Sequence, residues 1–126
     1  MNATSLFSGG GIGEIFLHKL GINITIANEI DKKRADFYSS LHPNSNILTG
    51  SIKDKEIKKE IINKSRTNRF LISTPPCQGF STIVATTKAN DFEKDTRNFL
   101  IYDTFDIIDN CNFDFILIEN VPRFLK

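Results

Sequence analysis

Five short apolar runs recur along the chain with helix-like segments between them: Ala3 to Phe7, Ile22 to Asn28, Ile47 to Thr49, Phe70 to Thr74 and Phe113 to Ile118. That alternation predicts parallel strands joined by crossover helices. Ile12, Ile15, Phe16 and Leu20 fall on one helical face, as do Ile101, Phe105 and Ile108, so both segments are expected to lay that face on the sheet. The segment Asp31 to Leu41 opens on an Asp suited to capping and stops before His42-Pro43, while Asp54 to Asn63 places Ile57 and Ile61 four apart. The stretch Ser81 to Lys94, rich in Thr, Lys and Asp, lacks periodicity and reads as a long loop of the kind that often serves as a lid.

Length and charge narrow the picture only a little. The 126 residues suit one compact unit, within the usual range of roughly 100 to 200. Sixteen basic against 15 acidic side chains leave a formal charge of +1, which gives no global footprint for a polyanion. No apolar run approaches the roughly 20 residues that span a bilayer, and the N-terminus lacks a signal-peptide pattern, so the chain reads as cytoplasmic and not membrane-bound. The two cysteines, Cys77 and Cys111, have neither disulfide-framework nor metal-ligand spacing, which fits a reducing compartment and a protein without metal.

The candidate chemistry sits where the strands end. Phe7-Ser8-Gly9-Gly10-Gly11-Ile12-Gly13 lies between the first strand and the following helix, where glycines let the backbone turn sharply and approach a ligand. A plain tight turn explains those glycines as well, but Asn28-Glu29-Ile30 follows about 20 residues on, where nucleotide-binding folds place an acid on the ribose hydroxyls. Thr74-Pro75-Pro76-Cys77-Gln78-Gly79-Phe80-Ser81 follows the fourth strand, and its prolines and glycine hold the Cys77 thiol at a rigid bend, which suits a nucleophile better than a core cysteine. Glu119, in Ile118-Glu119-Asn120-Val121-Pro122, ends the fifth strand; apolar surroundings there would raise its pKa and let it donate near neutral pH. Asp95-Thr96-Arg97-Asn98 reads locally as a helix cap. If the strands take the order 3-2-1-4-5, the sheet reverses between strands one and four, and the glycine turn, Glu29, Cys77 and Glu119 converge on one crevice. That layout is expected of a two-substrate transferase.

Together these residues resemble the DNA cytosine-5 methyltransferase family, with motifs in the family's order over essentially the whole chain. The match runs through Phe7, Gly9 and Gly11, then Asn28 and Glu29, then Pro76, Cys77, Gln78, Phe80 and Ser81, then Asp95, Arg97, Asn98 and Leu100, and finally Glu119, Asn120 and Val121. The resemblance implies a doubly wound, mostly parallel α/β sheet of the S-adenosylmethionine-dependent methyltransferase type. It implies DNA as substrate, with Cys77 adding to carbon 6 of a flipped cytosine and Glu119 holding the ring edge. By the same resemblance Phe7, Gly9, Gly10, Gly11, Glu29, Ile30, Ser51, Ile52, Pro76 and Leu100 would line the cofactor site. Pro76, Gln78, Ser81, Arg97, Asn120 and Val121 would serve the substrate, and the Ser81 to Asp95 loop would close over the base.

Two departures from the family pattern shape the expectation. The usual Gly-Asp-Ile after strand three is Gly50-Ser51-Ile52 here, and a serine accepts the adenine amine more weakly than a carboxylate, so reduced cofactor affinity is expected. Residues 1 to 126 would also be a catalytic domain truncated after strand five, without the target-recognition region, and so dependent on a complementary chain or prone to self-association. A cofactor-binding remnant without catalysis is the rival that those departures favour, and intact Cys77 and Glu119 oppose it. A transfer-RNA cytosine methyltransferase shares the chemistry, but such relatives usually carry Pro where this chain has Gly79.

Overall fold

Short runs of four to seven residues, each too short for a stable helix and bounded by turns, become the strands β1 (Asn2–Leu6), β2 (Asn23–Glu29), β3 (Asn46–Thr49), β4 (Phe70–Ser73) and β5 (Phe115–Ile118). The protein is described by a computed structural model over residues 1–76 and 99–120. All four strand pairings are parallel, and the order is β3-β2-β1-β4-β5, as expected from the motif positions. Each strand lies within one or two residues of its apolar run. β1 stops before Phe7 because that residue takes φ 57, which no strand can follow.

The helices are α1 (Lys32–Leu41), α2 (Lys55–Ser65) and α3 (Leu100–Asp109). Asp31 caps α1 by accepting from the Arg34 amide at 2.9 Å, and Asp54 caps α2 by accepting from Glu56 and Ile57. Tyr38 of α1 packs over Ala3, Ile24, Ala27 and Ile72 on one side of the sheet. Ile61 of α2 and Ile107 of α3 close over Leu6, Ile26, Leu48 and Leu71 on the other. Both sides of the sheet are thus packed, the arrangement that a parallel sheet requires.

Two helical faces depart from the pattern. The segment after β1 is not an α-helix but two 3-10 turns, Ile12–Glu14 and Leu17–Leu20, and it leaves Ile12, Phe16 and Leu20 more than 60% exposed. The glycines at 9, 10, 11 and 13 weaken helix initiation, and the Phe16 backbone, at φ −105 and ψ 0, interrupts the run before it completes an α-turn. Leu17 takes up the packing instead. On α3 the buried residues are Ile101, Thr104 and Ile107; of the expected face Ile101 is buried and Ile108 packs partly buried against the same core, while Phe105 is exposed. The Thr104 hydroxyl bonds that of Ser73 at 2.9 Å in the interior, and this pairing turns Phe105 outward to meet Tyr102 edge-on.

β5 is one of the two edges of the sheet among the described residues, with Phe115, Ile116 and Leu117 exposed.

Candidate functional site

Parallel pairing brings the carboxyl ends of the strands level. Leu6 pairs with both Asn28 and Ser73, Glu29 with Thr49, and Ser73 with Ile118. The chain therefore leaves β1, β2, β3 and β4 side by side, on the rim where open α/β sheets take their ligands.

A cavity of about 230 Å³ runs across that rim. β1 contributes Phe7 and Gly9, and β2 contributes Asn28, Glu29 and Ile30. Gly50, Ser51 and Ile52 follow from β3, Thr74 and Pro76 from β4, and Leu100 and Arg34 from the helices. Eight of the residues expected at the cofactor thus share one wall. Gly10 and Gly11 do not. They face α1 instead, where a Cβ on Gly10 would stand 2.9 Å from Phe37 and one on Gly11 would stand 2.6 Å from Tyr38 and 2.7 Å from His42. Gly11, at φ 74, also gives its carbonyl to His42 Nε2 at 2.8 Å, so its role is to let α1 close on the turn.

The glycine turn is tied to β2 by a set of short bonds. Ser8 donates its amide to the Asn28 carbonyl at 3.0 Å, and Gly11 donates back to Ser8 to close the turn. Glu29, only 5% exposed, accepts from the Gly9 amide through Oε2 at 2.8 Å and from the Asp31 amide through Oε1 at 2.9 Å. Charge-assisted bonds of this kind hold the carboxylate rigid, and each oxygen keeps a further lone-pair position. Phe7 sits at φ 57, a conformation that costs a bulky residue about 1–2 kcal/mol. Thr74 Oγ1, donating to the Phe7 carbonyl at 3.1 Å, and the core packing of the Phe7 ring maintain it. Backbone strain of that sort clusters at functional sites.

Asn28 had only its place in the Asn-Glu motif to mark it, and the structure gives it a distinct part. Buried at 2% exposure, it donates Nδ2 to the carbonyls of Leu48 at 2.8 Å and Gly50 at 3.1 Å, fastening the β3 turn to β2. Gly50 at φ 147 returns its amide to the Glu29 carbonyl. Ser51 turns its hydroxyl to accept from the Lys53 amide at 3.2 Å while lining the cavity. Asn28, Gly50 and Thr74 could have been found by taking every strand-end residue as a wall candidate. Arg34, one turn into α1, carries no such signal.

On the far side of β4, Glu119 donates its amide to Ser73 at 3.0 Å, which holds the end of β5 beside Thr74. Its side chain is exposed, so the described residues do not supply the apolar surroundings expected around it. Asn120 follows it. Cys77, Gln78, Ser81, Arg97 and Val121, with the whole Ser81 to Asp95 loop, lie outside the described residues. Pro76, the immediate neighbour of Cys77, is in the cavity wall. The other cysteine, Cys111, is half-buried at 3.8 Å from the Ile62 carbonyl, and burial pushes its thiol up, away from nucleophilic use. Among the described residues no group of His, Cys, Asp and Glu is placed to hold a metal ion, and no helix is long and apolar enough to cross a membrane.

Comparison with known proteins agrees with this geometry. The family model described as C-5 cytosine-specific DNA methylase matches residues 1–126. The type II methyltransferase M1.HgaI of Avibacterium volantium is 44% identical over 97% of this chain and 35% of its own length. M.NgoPII of Neisseria gonorrhoeae is 32% identical over 99% of this chain and 34% of its own length. A protein encoded within an E. coli prophage and assigned as a DNA modification methyltransferase superposes with TM-score 0.76 at 26% identity, over all of this chain and 33% of that one. Spodoptera frugiperda DNMT2, at 24% identity and TM-score 0.66, shares the fold over 98% of this chain and 36% of its own. The chain thus spans about a third of the length of the relatives it matches. With its motifs in order, its sheet in the 3-2-1-4-5 arrangement and a family match over its full length, the chain belongs to the C-5 cytosine-specific DNA methylases.

Proposed function

We propose that residues 1–126 form the cofactor-binding and catalytic part of an enzyme that methylates carbon 5 of cytosine in DNA, with S-adenosylmethionine as the cofactor. The observation that carries this reading is the single cavity shared by Phe7, Gly9, Glu29, Ile30, Ser51, Ile52, Pro76 and Leu100, with Cys77 next in the chain. The cavity suits such a cofactor. Ile30, Ile52, Leu100 and the Phe7 ring offer apolar walls to a purine, and Glu29 retains acceptor capacity for ribose hydroxyls beyond its two backbone bonds. When bound, S-adenosylmethionine supplies an activated methyl group.

The chain's own residues then divide the work. The Cys77 thiolate adds to carbon 6 of a cytosine turned out of the duplex, so that electron density reaches carbon 5, where the methyl group is taken up. Loss of the carbon 5 proton and expulsion of the thiolate restore the aromatic ring. Glu119, held beside β4, engages the N3 and amine edge of the base and stabilises the charge that develops on attack. Pro76 orients Cys77, and Gln78, Ser81, Arg97, Asn120 and Val121 position the substrate. Target reading is assigned to elements other than these residues, which would also cover the apolar β5 edge.

Isothermal titration tests the cofactor part. S-adenosylhomocysteine should bind weakly, and Glu29→Ala should weaken it at least tenfold; no binding at millimolar ligand would refute the site. Methyl transfer tests the rest. Mixed with a chain carrying the remaining elements of a relative, this chain should transfer label to cytosine, and Cys77→Ser should abolish transfer. Full activity of Cys77→Ser would overturn the mechanism, and a wild-type chain that binds cofactor yet never transfers label would leave a binding remnant.

A further inference from the structure

The two ends of the cavity differ in what they offer a ligand. Thr74 and Pro76 lie at the β4 end, while Ile30, Arg34, Ser51 and Ile52 wall the β2–β3 end, where α1 rests on both strands. The polar groups of this second end can be followed one by one. The Gly50 carbonyl is taken by Asn28, and the Ser51 carbonyl by the Asp54 amide. The Ser51 hydroxyl oxygen accepts from Lys53, which leaves its proton free to donate. Asp31 and Asp54 are engaged as helix caps and are not part of the wall. Arg34 remains. Its backbone amide serves the Asp31 cap, but its guanidinium has no hydrogen bond or ion pair among the described residues, and it lines the cavity.

Apart from Glu29, whose two carboxylate oxygens are each held by a backbone amide, this end therefore presents donors and no carboxylate. Building on the cofactor site proposed above, we infer that Arg34 reads the base of the bound nucleoside, and that this cavity takes a 6-oxopurine at least as readily as a 6-aminopurine. The chemistry follows from the two base edges. A guanidinium is a rigid fork of donors that matches the O6 and N7 acceptors of a 6-oxopurine, whereas a 6-aminopurine offers N7 alone and turns its amine protons toward the cation. The Ile30 and Ile52 walls favour both bases alike, because apolar contact with the ring faces is indifferent to the substituent at carbon 6.

The experiment titrates the full chain, and its Arg34→Ala and Arg34→Lys variants, with S-adenosylhomocysteine and S-inosylhomocysteine, which differ at carbon 6. Arg34 is exposed, so both variants should fold, as circular dichroism will check. For the wild type, the 6-oxo ligand should bind within threefold of the 6-amino ligand or tighter. Arg34→Ala should shift the ratio of the two affinities at least fivefold against the 6-oxo ligand. Arg34→Lys should fall between, since an ammonium is a point charge without the fork. Rejection of the 6-oxo ligand by more than threefold, or a ratio that Arg34→Ala moves less than fivefold, would overturn the inference and leave the cofactor site standing. Failure of both ligands to bind at millimolar concentration would remove the cofactor site and the inference together.

Discussion

Asn28 offers the sharpest test of how the rim is held together. Replacing it with Ala deletes two hydrogen bonds and leaves the Leu48 carbonyl, whose bond is buried, and the Gly50 carbonyl, whose bond is part-buried, without that donor. A buried acceptor left unsatisfied costs about 1–3 kcal/mol, and the Gly50 carbonyl can recover part of its loss from water, so Asn28→Ala should destabilise the chain by about 2–4 kcal/mol. That is a large share of the roughly 5–15 kcal/mol typical of a domain. Asn28→Asp separates the hydrogen bond from the packing, because it keeps the shape but aims a carboxylate at two carbonyl oxygens. At pH 7 it should be the worse variant. Burial and those carbonyls raise the carboxyl's folded pKa above its unfolded value near ~3.9, so the folded state gains stability as pH falls through the folded pKa and the group becomes a donor. Urea unfolding followed by circular dichroism at pH 7 and at pH 5 measures both effects, and titration with S-adenosylhomocysteine reports the β3 turn. An Asn28→Ala variant within about 0.5 kcal/mol of wild type, or an Asn28→Asp variant at least as stable as Asn28→Ala at pH 7, would refute the reasoning.

Three further outcomes are expected. Gly11→Ala should cost about 2–4 kcal/mol, from left-handed strain plus collision with the fully buried Tyr38 and with His42; a loss below about 1 kcal/mol in urea unfolding would show that α1 can draw back from the turn. Lys58 bridges α2 to α3 through Asp103 at 2.7 Å and Asp106 at 2.8 Å; burial alone would lower its pKa, but the two carboxylates outweigh it and hold the ammonium above its ordinary value. Lys58→Met should therefore cost about 1 kcal/mol in denaturant titrations below the unfolded pKa near ~10.4, and the gap to wild type should close as pH rises through the folded value. Sedimentation velocity should show concentration-dependent association of the wild type, reduced by Ile116→Lys on the exposed edge strand; an unchanged monomer at every concentration would show that the edge is protected.

The sequence by itself determined the strands, their order and the side of the sheet on which chemistry gathers. Short apolar runs bounded by turns mark strands because burial on both sides of a parallel sheet leaves few other choices, and the capping residues Asp31 and Asp54 mark helix starts through bonds only two or three residues long. Such signals are local and survive without a fold. Tertiary structure decided what depends on contacts distant along the chain. Thr104 displaced Phe105 from the core through a bond to Ser73, 31 residues away, because satisfying two buried hydroxyls outweighed covering an aromatic ring. Gly10 and Gly11 turned out to serve the approach of α1, since only the packed helix shows what a Cβ would strike. Asn28 and Arg34 differ for the same reason: nothing in a sequence pattern tells which carbonyls an amide will bridge, or that a cation one turn into a helix will line a cavity formed at the ends of four strands.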